Sequence, residues 1–235
     1  MNLIKKLSSL IFPHKCTFCR EVIDYENYTF ICNKCMNSLP FIEGTRCIKC
    51  GIMQHDTAMP VCHTCRKYNH SFSGAFTPLV YKDEVRHAIL SMKFHERESH
   101  CHAFAFLIAN SIMESDFPHI DFITYVPLSR ESFLKRGFNQ SELIANDCGK
   151  IFNLPVLDTI IRVDGTPRQS SLPLSLRRKN VKKAFKGKDM KLSGTALLID
   201  DIYTTGSTMD YISSLLLKMG CDNVYIAAVA SVHRS

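Results

Sequence analysis

No run of this 235-residue sequence reaches the ~18–20 consecutive apolar residues of a membrane-spanning helix, so no membrane span is expected. An export signal is not expected either. Leu3–Phe12 is apolar, but Lys5 and Lys6 interrupt it and no small-residue cleavage site follows. It reads as a short amphipathic helix, and the expected location is cytoplasmic. No residue class is present in the excess that marks collagen-like, fibrous or disordered chains: 46% hydrophobic and 22% charged is ordinary globular usage. The length accommodates one large domain or a medium and a small one.

What the sequence does have is cysteine. Three of its eleven (Cys101, Cys148, Cys221) are isolated among apolar residues and read as small buried hydrophobes. The other eight lie within the first 65 residues as four Cys-x-x-Cys pairs: Cys16/Cys19, Cys32/Cys35, Cys47/Cys50 and Cys62/Cys65. Twelve residues separate the first two pairs and eleven the last two, and the unit repeats with a 31-residue offset from Cys16 to Cys47. Two thiolates on one tight turn fill two corners of a tetrahedron, and a second turn from a returning hairpin fills the others. Gly51 after Cys50 suits such a turn. Four thiolates leave no open position, so two structural zinc ions are expected, supplying folding energy to a segment too short and polar to build its own core. Thiol redox chemistry is the rival reading. Sequential pairing is favoured over cross-braced pairing because each hairpin then closes locally.

After Ser71 the texture changes. Strands are expected over Phe76–Tyr81, Asp121–Val126, Thr195–Ile199 and Val224–Val232, with Pro155–Val163 extended. Helices are expected over Glu84–Phe94 (Val85, Ile89 and Met92 inward), Cys101–Met113, Asn139–Phe152 (Leu143, Ile144 and Ile151 inward) and Ser207–Met219. Alternating strands and helices, with strands apolar on both faces, indicate an α/β fold: a parallel sheet covered on both sides, with its ligand site beyond the carboxyl ends of the strands. Residues 1–70 read as the zinc module and 71–235 as the sheet domain.

At the end of the Ala196–Ile199 strand stand Asp200 and Asp201, and then Thr204-Thr205-Gly206-Ser207-Thr208 turns directly into a helix. Backbone N–H groups, hydroxyls and a helix N-terminus suit a phosphomonoester. The two carboxylates would repel it and must meet sugar hydroxyls or a divalent cation. The bland alternative makes Ser207 or Thr208 an N-cap and the acids a solvated strand end. Between Arg162 and Lys188 nine basic residues face one acid, Asp164, an excess of eight that leaves the rest of the chain at −1. Such a segment implies an anionic partner, phosphate or nucleic acid, unless it is only a solvated loop. Its prolines and serines argue against a long regular element. Asn139 could cap the following helix with Gly137 turning the chain, or Arg136 and Gln140 could contact phosphate or base. Lys93 is a further candidate contact, whereas His100 and His102 read as packing or surface residues.

The block from Ala196 to Thr208 resembles the phosphoribosyl-pyrophosphate (PRPP) motif of type I phosphoribosyltransferases. Val126-Pro127-Leu128-Ser129, Arg136-Gly137-Phe138-Asn139-Gln140, Arg162, Gln169, Arg177–Phe185 and the N-terminal zinc region are together similar to the ComF family of competence proteins and their relatives, over nearly the whole chain. The resemblance implies a type I phosphoribosyltransferase-like sheet preceded by a double zinc ribbon. It makes Asp200 and Asp201 the catalytic-site acids holding the ribose 2′- and 3′-hydroxyls. Thr204, Thr205, Gly206, Ser207 and Thr208 would hold the 5′-phosphate, and Pro127, Leu128 and Ser129, with Arg136, would face the pyrophosphate. Mg²⁺ would accompany PRPP, and a mobile basic loop over about 164–190 would close over the site. Family membership further implies handling of incoming single-stranded DNA during natural transformation, with Arg168, Arg177, Arg178, Lys179, Lys182 and Lys183 as candidate contacts and competence-machinery proteins as partners. Exposed Phe18, Tyr25, Tyr28 and Phe30 would favour DNA handling. Active phosphoribosyl transfer to an unidentified acceptor and PRPP-sensing regulation of nucleotide metabolism are the alternatives.

Overall fold

The computed structural model describes residues 13–24, 26–54, 59–94, 99–115, 119–163 and 181–232. In chain order the elements are α1 (Asn33–Ser38), α2 (His63–Lys67), β1 (Gly74–Phe76), β2 (Leu79–Val80), α3 (Asp83–Phe94), α4 (Ser99–Met113), β3 (Phe122–Tyr125), α5 (Arg130–Arg136), α6 (Gln140–Phe152), β4 (Ile160–Arg162), β5 (Phe185–Gly187), β6 (Thr195–Tyr203), α7 (Ser207–Lys218) and β7 (Asn223–Ser231).

The two most apolar strands, β6 and β7, lie at the centre of a parallel sheet of order β1-β7-β6-β3. β2 also pairs with β7, farther along it, and Val156 bridges to Ile123 outside β3. Alternate residues feed two cores, as period 2 requires. Leu197, Ile199, Ala227 and Val229 pack with Ile89 and Met92 of α3, Phe104 and Ile108 of α4 and Ile144 of α6. Ala196, Leu198, Ile226 and Ala228 pack with Met209, Ile212 and Leu216 of α7. Helices therefore cover both faces, as the doubly apolar strands required.

Three expectations need correction. The strand over Phe76–Tyr81 is two pieces, β1 and β2, because Pro78 has no N–H to give a sheet ladder. β6 runs on to Tyr203, since β7 pairs with it as far as Tyr203–Ser231, so the two aspartates lie within the strand and not beyond it. Ile151 is 46% exposed: the returning chain crosses α6 at Gly149, whose added Cβ would meet Val156 at 2.6 Å, leaving the last turn uncovered.

The cysteine-rich segment is not an appendage. Ile31 and Leu39 belong to the core with α3 and α4, and Cys47, Cys50 and Cys65 to the core with α7. The connector between its halves lies along β2, with Ile42 N donating to Pro78 O (2.8 Å) and Val80 N to Pro40 O (2.9 Å). β4 and β5 form a separate antiparallel pair at the base of the basic segment. Arg168, Arg177, Arg178 and Lys179 lie outside the described residues, whereas Lys182 and Lys183 are exposed. Among the described residues no helix is long and apolar enough to cross a membrane.

Candidate functional site

The thiols group as sequential pairing requires: Cys16, Cys19, Cys32 and Cys35 in one cluster, Cys47, Cys50, Cys62 and Cys65 in the other, with all Sγ atoms of a cluster within 4.8 Å of one another. Cys19–Cys32 and Cys50–Cys62 Sγ separations are both 3.7 Å. A tetrahedron with Zn–S near 2.3 Å has S···S edges of roughly 3.8 Å, so the residues fit zinc. The 31-residue repeat extends to the backbone. Cys16 N donates to Glu21 O and Cys47 N to Ile52 O, both at 2.9 Å. Cys32 N reaches Cys16 Sγ at 3.4 Å, as Cys62 N reaches Cys47 Sγ at 3.3 Å. The left-handed position after each first pair is Arg20 in one ribbon and Gly51 in the other.

The second site is built where β6 runs on past the end of β3, whose last residue, Tyr125, pairs with Ile199. Tyr203 closes β6 and is buried. Burial pushes its phenol up, and the negative charge of the Cys50, Cys65 and Cys62 thiolates adds to that. Gly206 takes φ +69°, and a Cβ there would stand 2.5 Å from the Tyr203 hydroxyl, so the loop Thr204–Thr208 can only turn this tightly against Tyr203 with glycine. Thr205 Oγ1 and Ser207 Oγ share a hydrogen bond of 2.8 Å. Gly206 is itself the N-cap of α7, with no side-chain cap, so neither Ser207 nor Thr208 takes that role.

The carboxylates face α3 and α6. Ile199 and Ile202 both pack against the same core, an interruption of the strand's alternation that spans Asp200 and Asp201. Ser141 Oγ donates to Asp200 Oδ1 at 3.0 Å and Gln140 Nε2 to Asp201 Oδ2 at 3.3 Å. Lys93 Nζ, at the end of α3, forms an ion pair with Asp201. Arg136 donates to Gln140 Oε1 at 2.9 Å, so it joins the acid pair through Gln140. Burial, and next the neighbouring Asp201 charge, push Asp200 up to about 7, although it keeps part of its surface in solvent.

Asn139 is indeed the N-cap of α6, its Oδ1 accepting from Ser141 N at 3.1 Å, and Gly137 the left-handed C-cap of α5. Ser129 caps α5. Pro127 and Leu128 border an open cavity of about 410 Å³ that also involves Arg130, Phe133, Arg162 and Lys188. His100 is buried between Ala88 O and Arg20, and His102 pairs with Asp147 at 2.5 Å, so neither belongs to a third thiol or histidine cluster among the described residues. Tyr28 is 79% exposed, whereas Phe18 stands edge-on to Phe104 and Phe30 stacks between His14 and His102; Tyr25 lies outside the described residues. Ser141 carries no motif that sequence reading could have used, and Tyr203, although inside the Ala196–Thr208 block, was assigned no role there: each is identified by what the fold places beside it.

Cluster geometry and fold define a double zinc ribbon joined to a parallel α/β sheet with a loop-and-acid site at its carboxyl edge. Residues 7–68 match the double zinc ribbon domain family. The chain is similar to DNA utilization protein YhgH of Salmonella typhi, 28% identical over 223 residues (92% of this chain, 96% of that protein). It is 27% identical over 229 residues to Competence protein F of Haemophilus influenzae (93% and 97%), and 27% over 198 residues to Competence protein ComFC of Bacillus subtilis (81% and 79%). The resemblance to the ComF family therefore holds across the chain.

Proposed function

We propose that this protein acts in the handling of incoming single-stranded DNA during competence and that its sheet edge binds PRPP or a related phosphorylated sugar. The observation that carries the ligand reading is the adjacency of Asp200 and Asp201 to a helix start whose N-cap, Gly206, has no capping side chain, Thr205 Oγ1 accepting from Ser207 N at 3.3 Å. The loop's N–H groups and the positive end of α7 favour a phosphate dianion. The acids accept from sugar hydroxyls, while Lys93 offsets part of their charge. Val126–Ser129, Arg136 and the basic hairpin would face the pyrophosphate, and Mg²⁺ accompanying it would need few protein ligands. Among the described residues no general base other than the acids themselves stands at the site, so binding is the better-supported role.

The DNA reading is supported by the names of the relatives, a DNA utilization protein and two competence proteins. The basic excess of the 162–188 segment and exposed Lys182, Lys183 and Lys186 also support it. The compartment that suits this role is the cytoplasm.

Calorimetry with PRPP and Mg²⁺ tests the first part. A charged hydrogen bond is worth roughly 1.5–3 kcal/mol, so the Asp200→Ala/Asp201→Ala variant should bind at least tenfold more weakly. Wild-type affinity in that variant would put the ligand elsewhere. For the second part, single-stranded DNA should bind with little sequence preference, its affinity falling with log salt by about 0.7 per phosphate neutralised. Lys182→Glu/Lys183→Glu should lower both affinity and slope. Salt-insensitive binding, or none at low salt, would refute the nucleic-acid role of this segment.

A further inference from the structure

The two thiol clusters differ in what they touch. Cys47, Cys50 and Cys65 share one buried core with Phe72, Tyr203 and Met209. Phe72 is fully buried, edge-on to Tyr203 with centroids 6.4 Å apart and planes at 87°. Lys49, inside the thiol turn, lies 5.8 Å over the same Phe72 ring. Tyr203 in turn is the surface against which Gly206 turns. A second connection runs through the backbone: four residues after α2, Ser71 N donates to Asp210 Oδ1 at 2.7 Å and His70 Nδ1 stands 3.4 Å from the same oxygen. His70 stacks on Phe72 at 4.6 Å, and Asp210 belongs to the first turn of α7. Around the first cluster, Ile31, Leu39 and Cys35 instead pack into the opposite core, against α3 and α4.

We propose that the second cysteine cluster is the platform of the Thr204–Thr208 loop, with Tyr203 and Phe72 as positioning residues, so that the loop's ordering depends on this cluster and not on the first. The consequence for ligand binding rests on the phosphate reading of the loop; the ordering itself does not. Packed interiors transmit displacement because they have little free volume. Collapse of the Cys47/Cys50/Cys62/Cys65 site removes the support behind Phe72, tilts Tyr203 and releases the turn at Gly206.

The test compares Cys62→Ser with Cys19→Ser in the full chain, reading zinc content, PRPP binding with Mg²⁺, and hydrogen exchange by mass spectrometry. Exchange in residues 203–210 is referenced to the Ala196–Ile199 core of β6. Each variant should lose one zinc. Only Cys62→Ser should speed exchange in 203–210 relative to the reference and weaken binding at least tenfold. Tyr203→Leu, with both zinc ions retained, should reproduce that loop effect, and Tyr203→Phe, which keeps the ring under Gly206, should restore wild-type exchange. Should Cys62→Ser unfold outright, the Tyr203 pair decides. Unchanged loop exchange in Tyr203→Leu, or equal loop effects from both cysteine variants, would overturn the proposal. Wild-type protein that ignores PRPP would refute the ligand reading while the exchange data still judge the platform.

Discussion

Asp200 bonds to Ser141 and lies one residue from Asp201, held where water reaches only part of it. Its proton is therefore retained up to about pH 7 in the native state, against an ordinary value of 3.8. Between these values the native state binds more protons than the unfolded chain, so stability falls as pH rises from about 4 to about 7 and levels off above it. Asp200→Asn should flatten that slope and be more stable than wild type at pH 8, as chemical denaturation at pH 5 and pH 8 can establish. A variant with the wild-type slope would assign the effect to other groups. Binding of a vicinal diol by the ionised carboxylate should strengthen over the same interval.

At the scale of elements, the second ribbon's tight turn meets β1 head-on. Gly51 has φ +69°, and a Cβ there would come within 2.5 Å of Ala75 O, which is backbone and cannot rotate away. Gly51→Ala should cost about 1–3 kcal/mol from the left-handed conformation alone, plus the displacement of β1. A lowered melting midpoint is expected, and an unchanged one would contradict the contact. The first ribbon supports the same conformation with Arg20, whose guanidinium reaches His100 at 3.1 Å. Cysteine spacing alone made the two clusters and their pairing legible, because the ligand turns are local. The acid-and-threonine block was legible as well, with apolar residues before it and a helix after it. The continuation of β6 to Tyr203 and the outward Ile151 were not, since each depends on where a distant segment lies: β7 for the strand and Val156 for the helix. Lys93 was a candidate contact in sequence terms, but its ion pair with Asp201 follows only from how α3 ends over the sheet.

Across the molecule, the ribbon and the sheet share both cores, which bears on how zinc loss is felt. Metal analysis should give about two zinc per chain, one for each cluster. The sequence separates residues 1–70, as a zinc module, from a sheet domain over 71–235. With Ile31 and Leu39 in one core and Cys47, Cys50 and Cys65 in the other, chelation should instead lower the melting of both parts together. Calorimetry of the metal-free protein would reveal two separate transitions if that is wrong.

The pairing of β1 with β7 sets a timetable for synthesis. Gly74–Phe76 pairs in the sheet with Tyr225–Ala227, and Ser73 shares a hydrogen bond with Asn223, 150 positions later. β2 and β6 also pair with β7. As the chain leaves the ribosome, the thiol turns can capture metal at once, because each cluster closes within 20 residues (Cys16–Cys35 and Cys47–Cys65). The sheet cannot close until its last strand emerges. Contacts so far apart in sequence form slowly and leave apolar surface open meanwhile. A chain cut short before Asn223 would therefore retain two metal-bound turns attached to a sheet without its centre, and should be recovered as aggregate.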